Sequence, residues 1–461
     1  MIRKPVVFFL ILLITSTSIM SQRFVDSSGQ DTLKKQSIDD MIEMGGYARG
    51  VFYLGENNDK ADVSSGYGEA ALKLRIIPDK KISLFTEFRL RGGYEYGDPI
   101  FRPELRELYT DVSLGKFDLR LGHQIVSWGR ADGINPTDNL TPKNYFVRSP
   151  ESDDMRLANY LFLGRYRLTH NIRLEGIWVP FYRYSLYRFD LFDMPDFVTI
   201  KNPGNLQWEP AGGNTGLKMD FLFPSVDGSV SWFSGFDPQP GIDILSLSMN
   251  PTGLSLDLGA QAFRHNTFGV DFATMTGTFG IRGEAALRIP THKYIDEVYT
   301  PKTDLRYVLE IDRSFGNFSL MLQYIGQWVP DFTDMPVLML FDDSGELPII
   351  DSSTYYLIPG ILKQQISGFN RLIYGQTHRV SHTVSCRPSV TLLHSTLNAE
   401  IYGMYNTSTE ELTIMPKISY SINDDWKISV GGQYFSGPKN TLNDMVGTVF
   451  NSGYIELKRS F

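Results

Sequence analysis

The sequence predicts an all-β fold: a transmembrane antiparallel up-and-down β-barrel of about 18 strands, with about 16 as the alternative, behind an N-terminal signal peptide. Three observations predict it. Stretches of strand length alternate apolar residues with arginine and glutamate, an export signal opens the chain, and no later segment approaches the roughly 20 apolar residues of a membrane helix. In Lys81–Arg91, Ile82, Leu84, Phe88 and Leu90 share one parity, and Lys81, Ser83, Glu87, Arg89 and Arg91 share the other. Successive strand side chains point to opposite faces, so one surface is charged and the other apolar. Recurrence of this pattern over most of the chain suggests lipid outside and a polar lumen inside.

Arg3 and Lys4 form a basic n-region, Pro5–Ile14 is an uncharged apolar core, and cleavage is expected among Thr15–Ser21. Residues 1–21 are therefore assigned to the signal. Residues 22–40 are polar and mixed in charge, and form either a periplasmic segment or a partial plug. Residues 41–461 form the barrel, a single domain, since no linker divides them.

The strands follow in order. Ile42–Leu54 leads through a polar loop to Gly66–Ile77, which turns at Pro78-Asp79-Lys80 into Lys81–Tyr94. Pro103–Ser113 turns at Gly115-Lys116 into Phe117–Trp128. Beyond a long loop, Leu157–Leu168 and Asn171–Val179 form a hairpin, as do Thr215–Phe223 and Gly228–Ser234. Gly259–Thr276 turns at Gly277 into Thr278–Ile289, and Asp304–Ser314 turns at Gly316-Asn317 into Phe318–Trp328. Leu372–Cys386 turns at Arg387-Pro388 into Val390–Tyr405, then come Glu411–Ser421, Trp426–Ser436 and Val446–Phe461. Ile242–Met249 is either a further strand or part of a loop. Short and long connections nearly alternate, as expected if short turns face the periplasm and long loops face outside.

Polar residues of one parity, all charged but Gln124, supply the predicted lumen. They are Glu69, Arg75, Glu87, Arg89, Arg91, Arg120, Gln124, Glu175, Arg282, Glu284, Arg306, Glu310 and Glu400. Unpaired charge facing hydrocarbon costs roughly 2–4 kcal/mol at the midplane, so these side chains must face water. The densest unusual stretch, Arg120–Pro142, leaves a strand into a loop punctuated by Gly129, Gly133 and Pro136 and rich in polar groups, among them Arg130, Asp132 and Asp138. That loop either folds into the lumen as a constriction or forms an ordinary structured hairpin loop. A second loop, Val329–Asn370, is apolar enough to cap the barrel, line an amphipathic path, meet a partner or pack on other loops.

Other chemistry finds little support. Aromatics make up 13% of the chain, which suits interfacial girdles, and the formal charge of −8 comes with no basic run for nucleic acid. The lone Cys386 excludes a disulfide framework and a multi-cysteine metal site. His378 and His382 would stand about 13 Å apart on a strand, too far to share a metal. No metal, cofactor or catalytic grouping is expected, and the protein reads as no enzyme. Phe461 ends an alternating strand with Ile455 and Leu457 at its parity. It resembles the terminal signal by which outer-membrane barrels engage the barrel-assembly machinery, although Arg459 falls where that pattern prefers an apolar residue.

Three runs carry a wider resemblance: LGHQIVSWGRADGINPTDNLTP (Leu121–Pro142), IWVPFYR (Ile177–Arg183) and GVDFATMTGTFGIRGEAAL (Gly269–Leu287). Together they resemble an uncharacterised Gram-negative outer-membrane β-barrel family, known only as a domain of unknown function, with some members encoded beside RND-type exporters. The resemblance implies a barrel among outer-membrane lipid and transport, with an RND-type or other envelope transporter as a possible partner; it carries no agreed site residues. The expected function is a porin-like channel passing a small polar or charged solute. The alternatives are movement of a hydrophobic or amphipathic compound with an envelope transporter, and a barrel enzyme or surface scaffold.

Overall fold

The computed structural model describes residues 41–57, 60–192, 196–201, 207–208, 213–250, 253–334 and 358–461. The signal segment and residues 22–40 lie outside these. The described chain forms a closed antiparallel sheet of 18 strands. In order these are β1 (Ile42–Asn57), β2 (Lys60–Asp79), β3 (Ile82–Glu95), β4 (Asp98–Leu114), β5 (Phe117–Gln124), β6 (Asn159–Arg167), β7 (Ile172–Val179), β8 (Asn214–Leu222) and β9 (Val226–Phe236). There follow β10 (Arg264–Thr276), β11 (Phe279–Pro290), β12 (Asp304–Phe315), β13 (Phe318–Trp328), β14 (Val380–Leu392), β15 (Leu397–Asn406), β16 (Glu411–Ser421), β17 (Trp426–Ser436) and β18 (Ser452–Ser460). Each pairs with the next, and β18 returns to β1 from Tyr47↔Ser460 to Gly55↔Ser452, leaving no sheet edge unpaired. Phe461 extends this seam, donating its N–H to the Gly46 carbonyl at 3.1 Å.

Alternation decides which face meets lipid. Val270, Leu309, Ile418 and Ile455 point outward and are exposed, while their neighbours Asp271, Glu310, Ser419 and Glu456 are buried inside. Exposed aromatics flank the short turns (Phe117, Tyr166, Phe223, Phe279, Phe318, Phe461), and Tyr160, Trp178, Trp328 and Tyr405 ring the opposite end. The 11 residues of β13 run from one girdle to the other. At about 3.3 Å per residue and a tilt near 40°, they cover roughly 25 Å, the height of an outer-membrane apolar band. A closed barrel with such a belt is built to cross a membrane with its strands. With Cys386 replaced, Leu309→Cys should label only with a membrane-soluble thiol reagent and Arg173→Cys with a hydrophilic one. Reversed labelling would refute this facing.

Several boundaries differ from those the sequence predicts. Strand β14 runs straight through Arg387-Pro388, and the turn lies at Leu393–Thr396. Proline is tolerated there because the β14–β15 ladder skips those two residues, between Cys386↔Gly403 and Ser389↔Glu400. The segment expected to begin that strand is instead the end of helix α1 (Ile358–Ile373). The last strand is likewise preceded by helix α2 (Leu442–Phe450), whose N-cap Thr441 accepts from Asp444 N.

Ile242–Met249 is both strand and loop. It belongs to the hairpin Gly241–Asn250/Gly253–Gln261 outside the barrel wall, joined by the parallel strand Val198–Lys201. This hairpin and α1 share an apolar core of Ile242, Leu256, Leu258, Leu362 and Ile366. Asn370 clasps the two together through Ile242 N and O, each at 2.7 Å. The described end of the apolar loop therefore packs on another loop; Met335–Leu357 lies outside the described residues.

Candidate functional site: a loop across the lumen

The connection between β5 and β6 folds into the barrel, as one of the two sequence readings has it. Its first part covers an apolar quarter of the inner wall: Val126, Trp128 and Leu140 pack on Leu161, Leu163, Ile177, Val179 and Phe233. Trp128 lies over Gly216, where a Cβ would sit 2.6 Å from the indole, and donates Nε1–H to Glu175 at 2.8 Å. Gly129 then turns with φ +102, and any Cβ there would meet Glu284 Oε2 at 2.5 Å. Only glycine meets both demands.

Glu284 is the first pin. Its buried carboxylate accepts from Arg130 N (3.1 Å), Ala131 N (3.4 Å), Thr137 N (2.7 Å) and Thr137 Oγ1 (2.8 Å). Beside it, Asp132 N donates to Glu310 at 2.9 Å, Gln323 donates to the Asp132 carbonyl at 2.7 Å, and Arg387 pairs with the Asp132 carboxylate. Arg130 pairs with Asp271 and lies 3.5 Å from Asp220. This end of the loop is thus held by β8, β10, β11, β12, β13 and β14.

The other end is held across the ring. Asp154 receives Arg49 and Arg89, each at 2.6 Å, and the Ser149 hydroxyl at 2.5 Å. Arg106 donates to the carbonyls of Asp153 (2.7 Å) and Arg156, and Lys417 stands 3.4 Å from Glu151. Arg148 donates to the Val449 carbonyl at the end of α2 (2.7 Å), while Tyr67 donates to the Arg148 carbonyl (2.7 Å). These partners lie on β1–β4, β16 and α2. In a ring of 18 strands, β3 and β12 are half a circuit apart, so the loop crosses the lumen. Burial alone would raise the Asp154 carboxyl, but Arg49 and Arg89 outweigh it and hold the group well below the usual carboxylate range.

Two chambers flank the crossing. Toward the long loops, a cavity of about 370 Å³ is lined by Asn135, Asp138, Lys143, Arg306, Gln327 and Ser381, among others. Toward the short turns, one of about 450 Å³ is lined by Asp111, Asp118, Arg120, Arg165, Arg167 and Arg173, among others. Many ion pairs of the wall share one asymmetry: the acid is buried and the base faces water. Side-chain exposures are 32% and 2% for Arg165–Glu175, 36% and 1% for Arg173–Asp220, and 35% and 0% for Arg282–Glu310.

The sequence-predicted lumen residues accordingly divide. Glu69, Glu87, Arg89, Arg91, Gln124, Glu175, Glu284 and Glu310 all face inward but are buried, where they hold the loop or one another. The expectation that they line a water path is corrected for these eight. Gln124, for example, donates to the Leu161 carbonyl at 3.2 Å. Asp138 is also covered, between Ser127 at 2.8 Å and Arg156 at 3.3 Å. Arg75, Arg120, Arg130, Asp132, Arg282 and Arg306 retain partial exposure, and Glu400 is half-buried opposite Lys417. Sequence reasoning missed Arg49, Asp220 and Asp271, which alternation could have found, and Arg148 and Asp154, which sit in a loop where no periodicity points to them.

No family model and no curated protein matches the chain. Solved structures do. OccAB3 of Acinetobacter baumannii is similar over 91% of this chain and 99% of its own, with TM-score 0.54 at 8% identity. OpdK of Pseudomonas aeruginosa, solved with vanillate, is similar over 92% and 99%, with TM-score 0.53 at 7% identity. OccK9 (OpdG) of the same organism is similar over 92% and 98%, with TM-score 0.52 at 8% identity. At such identities the likeness is one of fold.

Proposed function

We propose that this barrel is a porin-like channel that passes small polar or charged solutes through a constricted lumen, with a preference for anions. The observation that carries the preference is the asymmetric exposure of its ion pairs. At Arg165, Arg173 and Arg282 a solute in water meets the guanidinium group, because Glu175, Asp220 and Glu310 are buried behind them, while Asp111, Asp118 and Asp312 keep partial exposure beside Arg120, Arg167 and Arg282. Low-dielectric walls focus that field along the narrow path. OpdK, a barrel of similar shape, was solved with vanillate, a small carboxylate. An anion of that class is a suitable first probe here.

The test is reversal potential in a salt gradient across a planar bilayer. The wild type should favour anions. Arg165→Gln combined with Arg173→Gln should lower the anion-to-cation ratio by about fivefold, if each water-facing charge contributes on the order of 1 kcal/mol in a solvated site and part is screened. Glu175 and Asp220 share Lys218 at 3.8 and 3.4 Å, and Asp220 also keeps Arg130 at 3.5 Å, so neither carboxylate is left without a cation in the variant. A cation-preferring wild type, or a variant with unchanged selectivity, would overturn this reading.

A further inference from the structure

A third cavity, of about 310 Å³, lies on the long-loop side between α1 and the connection from β11 to β12. Three cations line it: Lys302, Lys363 and Arg371. Among the described residues none of them forms an ion pair, although Asp243 feels the charge of Lys363 from beyond pairing distance. Arg371 is the buried member, 8% exposed. Its guanidinium donates to the Thr333 hydroxyl at 2.9 Å and to the Thr333 carbonyl. Both acceptors are neutral, and they take two of its five N–H groups. Burial therefore lowers the Arg371 guanidinium from its ordinary value with no carboxylate to offset it.

The fold gathers these groups. Lys363, Ser367 and Arg371 recur every four residues, so they share one face of α1 over about 12 Å. Gln376 brings Lys302 to the Arg371 end. Its side chain accepts from Lys302 N and donates to the Lys302 carbonyl, each at 2.8 Å, while its own N–H bonds the Arg371 carbonyl at 2.8 Å. Carbonyls of the last turn of α1 would repel an anion, but those of Asn370, Arg371 and Leu372 are taken up by the N–H groups of Tyr374, Gln376 and Gly375. Two acids, Asp296 and Glu297, also line the cavity, and both are exposed. Water and salt screen them, whereas the Arg371 charge is covered and fixed.

We propose that this cavity binds small phosphate-bearing anions, with Arg371 and Lys302 holding the phosphate at one end and Lys363 reaching it from two helical turns away. The Thr333 hydroxyl accepts from Arg371 and so keeps its own proton to donate, and the Ser367 hydroxyl lines the same cavity. Donors arriving from several directions suit a tetrahedral oxyanion better than a flat carboxylate, whose acceptors lie in one plane. The cavity has room for roughly ten waters, enough for a phosphate and a small ester group. The site lies apart from the loop-crossed lumen, so the proposal goes beyond the channel reading and stands or falls without it.

Calorimetry on the folded barrel in a neutral sugar-based detergent tests it, at about pH 8, where phosphate is doubly charged. The probes are inorganic phosphate, glycerol phosphate and monomeric dihexanoyl phosphatidic acid, with acetate as the control. Phosphate should bind about ten times more tightly than acetate. Lys302→Gln and Lys363→Gln change side chains without ion pairs, and each should weaken phosphate binding about threefold. Arg371→Gln should cost about tenfold or more, with heat-modified mobility as the check on folding. Asp296→Asn combined with Glu297→Gln should tighten binding about threefold, a gain that no misfolded variant would show. Equal binding of glycerol phosphate and phosphatidic acid marks a free solute as the occupant, and a tenfold preference for phosphatidic acid marks a lipid headgroup; either upholds the site. Phosphate binding no tighter than acetate, or undiminished in both lysine variants, would overturn it.

Discussion

Glu284→Ala is expected to raise single-channel conductance severalfold while leaving the barrel folded. One buried carboxylate collects four donors from the in-folded loop, three of them backbone N–H groups. A buried donor left without an acceptor costs about 1–3 kcal/mol. Losing even about 3 kcal/mol of this anchoring shifts the balance between pinned and released loop by roughly a hundredfold. The barrel itself rests on its continuous ladder, in which Glu284 takes part through its backbone opposite Asp271 and Val308. That pairing does not need the side chain. Planar-bilayer recordings and heat-modified gel mobility read the two properties separately. A folded variant with wild-type conductance would show that the segment pinned by Glu284 does not limit the pore.

The same residue shows what alternation could and could not reveal. Parity put Glu284 and Glu310 on the inner face, and the structure puts them there. Parity is silent on what lies above an inward side chain, and here the β5–β6 loop covers it. Hence five residues that read as lumen wall, Arg89, Arg91, Glu175, Glu284 and Glu310, are loop anchors. Arg130 illustrates the cost of missing this. From the sequence it is one polar group of a loop; in the structure it answers Asp271 and Asp220. Glutamate there would set like charges together in a covered site.

Strand number was legible because most short turns carry their own signal, such as Gly277 with φ +60 or Gly316 with φ +60, whereas the turn at Leu393–Thr396 takes positive φ without a glycine. Two element starts were not. Helices α1 and α2 occupy stretches whose apolar content also suits a strand, and short apolar runs do not separate the two periods. Pro388 misled in the opposite direction. Proline reads as a breaker, but a gap in the ladder absorbs its missing donor.

Asp154→Ala should release the far end of the loop, and combined with Glu284→Ala it should open the lumen more than either change alone. Arg49 and Arg89 converge on this one carboxylate from β1 and β3. Removing one partner of a buried ion pair costs on the order of 3–5 kcal/mol. Arg49 keeps Glu69 at 2.6 Å, and Arg89 keeps Glu87 at 2.6 Å, so the wall itself survives. The sites lie on opposite walls and share no partner, so any coupling between them passes through the loop. If both pins hold one rigid crossing, the double variant should conduct more than the two single increments summed.

The pH dependence follows from the same pair. With its folded pKa depressed, Asp154 contributes stability that is fully present above its unfolded value and is lost only as pH falls through the folded one. The Asp154 pin should therefore hold from pH 7 down to about 4, near the unfolded carboxylate value. Conductance traces of Glu284→Ala across that range isolate it, since the other pin is already gone. A jump in those traces well above pH 4 would show that Asp154 is not what holds the far end.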